Sequence, residues 1–151
     1  MSPIKKDDIL TVAVEASLAA SNHIMEAANF PRITNQKGRT DLVTKTDIES
    51  EKIIKSIIGA YYNEHSVLAE ESGRVDNSSD YLWIIDPLDG TTNFVHGYPC
   101  FGVSIGIYYK MKPIVAVVVE MPSMKMYTAV KNKGAFCEGK KINCSETESI
   151  A

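Results

Sequence analysis

Cysteine, histidine and tryptophan are scarce in this chain, with three Cys, three His and one Trp among 151 residues. Cys100, Cys137 and Cys144 show no zinc-site spacing, and an odd count argues against a disulfide framework. Reduced thiols in a cytoplasmic protein are the expectation, each serving packing or surface rather than chemistry. His23, His65 and His96 also lack ligand spacing, so none is read as catalytic. A basic excess is missing too: the formal net charge of −3 leaves no cationic stripe for a nucleic-acid backbone. The pairs Lys110, Lys112 and Lys131, Lys133 flank turn residues and read as solvated loop charges. No apolar run reaches transmembrane length, so no membrane partner is expected. The start, Met1-Ser2-Pro3-Ile4-Lys5-Lys6-Asp7-Asp8, leads into an amphipathic stretch broken by Glu15, unlike a signal peptide. There is no internal repeat or low-complexity tract.

What is present suffices for one core: 44% hydrophobic and 23% charged residues. Lys5 to Ala28 reads as a helix, with Leu10, Val14, Ser17, Ser21, Ile24 and Ala28 as its inward stripe. Asn29-Phe30-Pro31 ends it. Thr34 to Asp41 is polar around Gly38 and reads as a mobile loop. A second helix starts near Thr46, where Thr46 and Glu49 have capping-box spacing. Thr44 and Thr46 are read equally as caps or as site residues. Ile53, Ile57 and Tyr61, with Ile54, Ile58 and Tyr62, make its buried face. The period then changes. Ser66 to Ala69 is a short strand ending in Glu70-Glu71-Ser72-Gly73, and Arg74 to Asp80 reads as a loop. Tyr81 to Ile85 is an apolar strand stopping at Asp86-Pro87. Strand signals follow at Val103 to Tyr109, Ile114 to Glu120 and Lys125 to Val130, with connections short enough for antiparallel neighbours. The fold class expected is α+β, two N-terminal helices packed on a largely antiparallel sheet. Thr147 to Ala151 carries no helix stop and reads as a chain cut at the start of another element.

The chemistry concentrates in Trp83-Ile84-Ile85-Asp86-Pro87-Leu88-Asp89-Gly90-Thr91-Thr92-Asn93-Phe94. An apolar strand delivers Asp86 to its carboxyl end, where α/β sites commonly sit. Asp89 follows three residues later, so a tight turn can aim both carboxylates at one point. Gly90 permits a backbone conformation closed to other residues and a close approach to a ligand. Thr92 or Asn93 could cap a short helix, whose N–H groups favour an anion. Two carboxylates on one turn repel unless a cation or proton intervenes, and Glu70-Glu71 add further negative charge. Clustered carboxylates with a free backbone carbonyl suit Mg²⁺, which keeps several waters and takes substrate phosphate as well. Zinc fits less well without His or Cys. Taken alone, the segment also fits a plain surface turn, because Asp-Pro and Asp-Gly are common turn dipeptides.

Asp86-Pro87-Leu88-Asp89-Gly90-Thr91-Thr92-Asn93 resembles the metal-binding signature of the inositol monophosphatase family. Ala69-Glu70-Glu71-Ser72 is similar to that family's upstream glutamate motif, and Asp41-Leu42-Val43-Thr44-Lys45-Thr46-Asp47 to a third element. Met126-Tyr127-Thr128-Ala129 and Lys133-Gly134-Ala135-Phe136 resemble its later strand-and-turn region. The resemblance implies a layered αβαβα sugar-phosphatase fold and a Mg²⁺-dependent phosphomonoesterase. It implies that Glu70, Asp86 and the carbonyl of Leu88 hold one Mg²⁺, and that Asp86 and Asp89 hold a second. Glu70 would reach a third, water-rich cation. Thr91, backed by Asp47, would orient the attacking water, and the N–H groups of Gly90 and Thr91 would hold phosphate. Lys37 would lie on a loop near the metals, and Glu71 would be structural. His96 would lie near the site rim.

The resemblance also sets an expectation about what is missing. Family members run to roughly twice this length, and their second half carries a Trp-Asp motif whose aspartate completes the second metal site. The one tryptophan here, Trp83, is already used. The chain therefore reads as the N-terminal, metal-binding part (1–151) of a longer domain. Taken as a whole protein, it should bind its second metal weakly and leave an apolar sheet face bare. The expected substrate is inositol monophosphate or a similar small polyol or sugar phosphate. Related proteins act on histidinol phosphate, fructose bisphosphate or nucleotide 3′-phosphates. A homodimer is the family's usual assembly. The competing reading is a catalytically incomplete half-domain that binds metal or phosphate, or serves as an interaction module.

Overall fold

The structure, a computed structural model, describes residues 5–29, 34–36 and 42–147, without the side chains of 34–36, 42 and 43. Helix α1 spans Lys6–Ala27. A short pair, β1 (Thr34–Gln36) and β2 (Leu42–Thr44), precedes helix α2 (Lys45–Tyr61). Then come β3 (Ser66–Ala69), β4 (Gly73–Val75), β5 (Tyr81–Asp89) and helix α3 (Thr91–His96). The chain continues through β6 (Phe101–Tyr109), β7 (Lys112–Met121), β8 (Lys125–Val130), β9 (Gly134–Cys137) and β10 (Lys140–Ile142). Strands β3 to β10 form one sheet in the order β10-β9-β8-β7-β6-β5-β3-β4, antiparallel except for the parallel pair β3 and β5. The expected α+β class is therefore what is found. The meander from β5 to β10 follows from connections too short for a parallel crossover.

Both long helices lie on one face, α1 over β6 and β7 and α2 against α1 and β5. The covered face is built from alternate residues: Trp83 and Ile85, Val103, Ile105 and Ile107, Val115, Val117 and Val119. α1 meets it with Ile9, Val12, Ala13, Ala16, Ala20 and Ile24, beside buried Ser17 and Ser21. Ser17, Ser21 and Ile24 of the expected stripe are buried, while Leu10, Val14 and Ala28 sit at its edge, half-buried. Small Ala and Ser on the inner face let α1 lie close to the sheet, and they carry weak hydrophobic signal. In α2, Ile54 and Ile58 are buried while Tyr61 is 57% exposed, which narrows the expected face. Arg74 and Val75, expected in a loop, pair with β3.

The opposite face holds Leu68, Ile84, Ala116 and Val118, with Leu68 and Val118 exposed. Among the described residues no helix covers it, consistent with the bare apolar face expected for this chain taken by itself. Lys133, expected to be a solvated loop charge, is exposed in the turn between β8 and β9 and pairs there with exposed Asp7 of α1, with Nζ 2.5 Å from Oδ1. No helix among the described residues is long and apolar enough to cross a membrane. Phe30, Pro31, Lys37 and Asp41 lie outside the described residues, as do 148–151.

His65 pins the end of the sheet away from the acidic motif. It is buried, stacked between Tyr62 at 4.7 Å and Tyr81 at 4.5 Å. The Trp83 indole N–H donates to its Nδ1 at 3.0 Å, so the ring must be neutral with its proton on Nε2. Burial lowers its pKa, against a smaller opposing pull from Glu64. A folded-state pKa below the unfolded one means that the neutral ring's contribution is complete above about pH 6.5 and is lost as pH falls below it. Urea midpoints should therefore drop between pH 7.5 and 5.5. In His65→Phe that pH slope should flatten, and the orphaned Trp83 N–H should cost about 1–3 kcal/mol at pH 7.5.

Candidate functional site

Strand β5 runs farther than its apolar stretch. It continues through Asp86-Pro87-Leu88-Asp89, paired with β6 at Asp86↔Ser104 and Asp89↔Gly102. β5 advances three residues there while β6 advances two, so one residue is extra. In a regular strand, residues three apart point to opposite faces; one inserted residue restores them to the same side. Pro87, which has no ladder N–H to lose, sits at this irregularity. The Leu88 N–H donates to Asp86 Oδ1 at 3.2 Å, fixing the carboxylate on its own turn. The two aspartates are thus brought to one place by a strand bulge rather than by a free turn.

Glu70 arrives from the parallel neighbour. Ala69 pairs with Ile85, and the Glu70 N–H donates to the Ile85 carbonyl at 3.2 Å. Glu70 and Asp86 therefore leave adjacent parallel strands at the same level, at their carboxyl ends. Gly90 follows with φ 83°, as the residue before α3. A Cβ there would lie 3.0 Å from the Cys100 carbonyl oxygen. Glycine is required both by the left-handed backbone and by the space. It caps α3 where the sequence pointed to Thr92 or Asn93; Asn93 instead donates to the Cys100 carbonyl at 2.7 Å. Glu70, Asp86, Leu88, Asp89, Gly90, Thr91, Thr92 and Asn93 line a polar cleft of about 290 Å³. A larger recess of about 410 Å³, around Ile114, Val115, Ala116, Ala129 and Val130, has mainly apolar walls and no part of the motif.

Asp47 connects this cleft to α2. It is wholly buried and accepts the Thr44 N–H at 2.9 Å and the Thr44 hydroxyl on Oδ2. Its Oδ1 accepts the Thr91 hydroxyl at 2.8 Å. The capping box is thus Thr44 with Asp47, not Thr46 with Glu49; the shift by two residues frees Glu49 to pair with Lys45 at the surface. Thr91 Oγ1 also lies 3.0 Å from the Leu88 carbonyl. One hydroxyl has one proton, and the shorter bond to a carboxylate is the stronger choice. With that proton on Asp47, the oxygen's lone pairs remain to accept.

Burial raises the Asp86 pKa first, and the Asp89 charge second; a hydrogen bond with Glu70 and the Leu88 N–H pull the other way. The site therefore resists carrying its full negative charge unaided. The donors are all oxygens, two aspartates, one glutamate and the Leu88 carbonyl, which fits a hard divalent cation. Among the described residues, no three His, Cys, Asp or Glu side chains converge tightly enough to chelate a metal on their own.

His96 lies at the last turn of α3 and is exposed, and it does not line the cleft. Lys37 falls outside the described residues. Glu51 was not singled out in the sequence. It is buried on α2, one turn after Asp47, and its carboxylate accepts the Glu71 N–H at 2.8 Å. Only the i,i+4 spacing from Asp47 could have pointed to it.

A family model for the inositol monophosphatase family matches residues 5–151. The chain belongs to this family. It is 44% identical over 149 residues to the phosphatase IMPL1 of Arabidopsis thaliana chloroplasts, covering 94% of this chain and 40% of that protein. It is 42% identical over 145 residues to the Nus factor SuhB of Vibrio cholerae, covering 94% and 54%. Among solved structures, the Thermotoga maritima IMPase superposes with a TM-score of 0.88 at 30% identity, covering 95% of this chain and 56% of that one. The chain thus spans about half the length of the relatives it matches.

The left-handed Gly90 gives a direct check on this geometry. Gly90→Ala should destabilise the chain by about 1–3 kcal/mol in urea unfolding, since both backbone and carbonyl resist the added methyl. Gly59→Ala should not destabilise it, because a Cβ there meets nothing within 4 Å and alanine favours the helix.

Proposed function

We propose that this chain carries the metal- and phosphate-binding part of a Mg²⁺-dependent phosphomonoesterase acting on inositol monophosphate or a similar small polyol or sugar phosphate. The observation that carries the reading is the shared cleft of Glu70, Asp86, Asp89 and Thr91, with Thr91 hydrogen-bonded to a buried Asp47. Glu70, Asp86, Asp89 and the Leu88 carbonyl would hold Mg²⁺. Bound there, divalent cations supply charge neutralisation of the phosphate, a more acidic water and stabilisation of the leaving alkoxide. Asp47 fixes the Thr91 proton, so that Thr91 Oγ1 faces the cleft as an acceptor and can orient a water for in-line attack on phosphorus. The first N–H groups of α3 have no acceptor within the helix, and those of Gly90 and Thr91 suit phosphate oxygens. The ester P–O bond breaks as the water's oxygen bonds to phosphorus, and a proton given up by that water passes to the departing alkoxide, which leaves as an alcohol. A small cleft with polar walls suits a compact phosphate head rather than a large apolar ligand. A homodimer accompanies the reading as the family's usual assembly.

A second reading is a half-domain that binds metal or a partner without catalysis. Two observations favour it: the exposed apolar sheet face, and a relative named as a Nus factor. Phosphate release from inositol 1-phosphate, measured with and without Mg²⁺, separates the two. The first reading expects Mg²⁺-dependent release that Asp86→Asn lowers by at least ~100-fold, beyond the effect of a typical outer-shell change. Thr91→Val should lower kcat more than it raises KM. Histidinol phosphate and fructose bisphosphate belong in the same assay as competing substrates. Mg²⁺ binding without turnover of any phosphomonoester would favour the half-domain.

A further inference from the structure

Glu51 is nearly wholly buried on α2, and it does not line the cleft. Its Oε2 accepts the N–H of Glu71 at 2.8 Å and that of Ser72 at 3.3 Å. Lys55, one turn along α2, lies 3.7 Å from Oε1 and donates to Ser72 Oγ at 2.8 Å. The turn that follows β3 is thereby clamped to α2 by two backbone bonds and one side-chain bond. On its other side, Glu70 is fixed to β5 through Ile85, one residue before Asp86. Glu70 thus has a tethered N–H of its own, and the next two N–H groups are held by one carboxylate.

A buried carboxylate is a costly way to satisfy two N–H groups that water could reach in an open turn. What it adds is charge-assisted, directional restraint of the backbone on which Glu70 stands. The same helix carries Asp47 one turn earlier, holding Thr91, which also lines the cleft. Two buried acids on one face of α2 therefore each tie to the helix a segment that lines or adjoins the cleft.

We propose that Glu51 is a positioning residue for divalent-metal binding, acting through the Glu70-Glu71-Ser72 turn; this rests on the metal-site reading above. The test is Mn²⁺ titration of the 151-residue chain by electron paramagnetic resonance at low temperature, with folded fraction checked by circular dichroism. Glu51→Ala should weaken Mn²⁺ binding by ~10-fold or more, the range seen when an outer partner of a metal ligand is lost. Glu51→Gln keeps one acceptor oxygen and should weaken binding by only ~3-fold, since the bonds lose their charge. Val117→Ala destabilises the core outside the cleft and should leave the Kd unchanged; an equal loss of affinity in Val117→Ala would make the Glu51 effect a general structural one and overturn the proposal. A folded Glu51→Ala with wild-type affinity overturns the proposal. Where Glu51→Ala does not fold, Glu51→Gln decides, and wild-type affinity in that variant overturns it. Absence of Mn²⁺ binding in the wild-type chain, by contrast, overturns the metal reading itself and this role with it.

Discussion

Crowded negative charge is the constraint on which this structure turns. Glu70, Asp86 and Asp89 open into one cleft, and Asp86 is half-buried. Charges of one sign so placed repel, and burial adds to the cost. Each surrounding feature restrains them: the bulge in β5 that turns Asp89 to the side of Asp86, the Leu88 N–H on Asp86, and the Ile85 carbonyl on the Glu70 N–H. These restraints hold three acidic side chains along one cleft, where their mutual repulsion would favour a cation between them.

Helix α2 is the strut behind that arrangement. Its hydrophobic contribution is modest, chiefly Ile54 and Ile58 against the core. The acids at the start of the same buried stripe do more for the site, with Asp47 bonded to Thr91 and Glu51 bonded to the Glu71 and Ser72 N–H groups. Sheet, helix and cleft are consequently not separable. The core that buries Ile54 and Ile58 with Trp83, Ile105 and Val117 seats α2, and α2 is bonded in turn to Thr91 and to the Glu71-Ser72 turn.

Much of this was legible in the residues, for identifiable reasons. Strands β6, β7 and β8 announce themselves through β-branched alternation between short turns, and the acidic motif stands out through its spacing. Less legible were features decided by partners distant in sequence. Nothing local in Arg74-Val75 signals pairing with β3. The stripe of α1 was read correctly at Ser17, Ser21 and Ile24 but missed Ala13, Ala16 and Ala20, whose burial depends on close approach and not on hydrophobicity. The Thr44 cap competed with a Thr46 alternative of equal spacing, and the burial of Asp47 decided between them. Glu51 resembles any helical surface acid until the β3 turn folds over it.

The most direct test of the central claim is a crystal of this chain soaked in Mn²⁺ and measured at the manganese edge. The account predicts an anomalous peak in the cleft, bounded by Glu70, Asp86 and the Leu88 carbonyl, that disappears in Asp86→Asn. A clean map with no peak there, or manganese bound only at other surface acids, would contradict it.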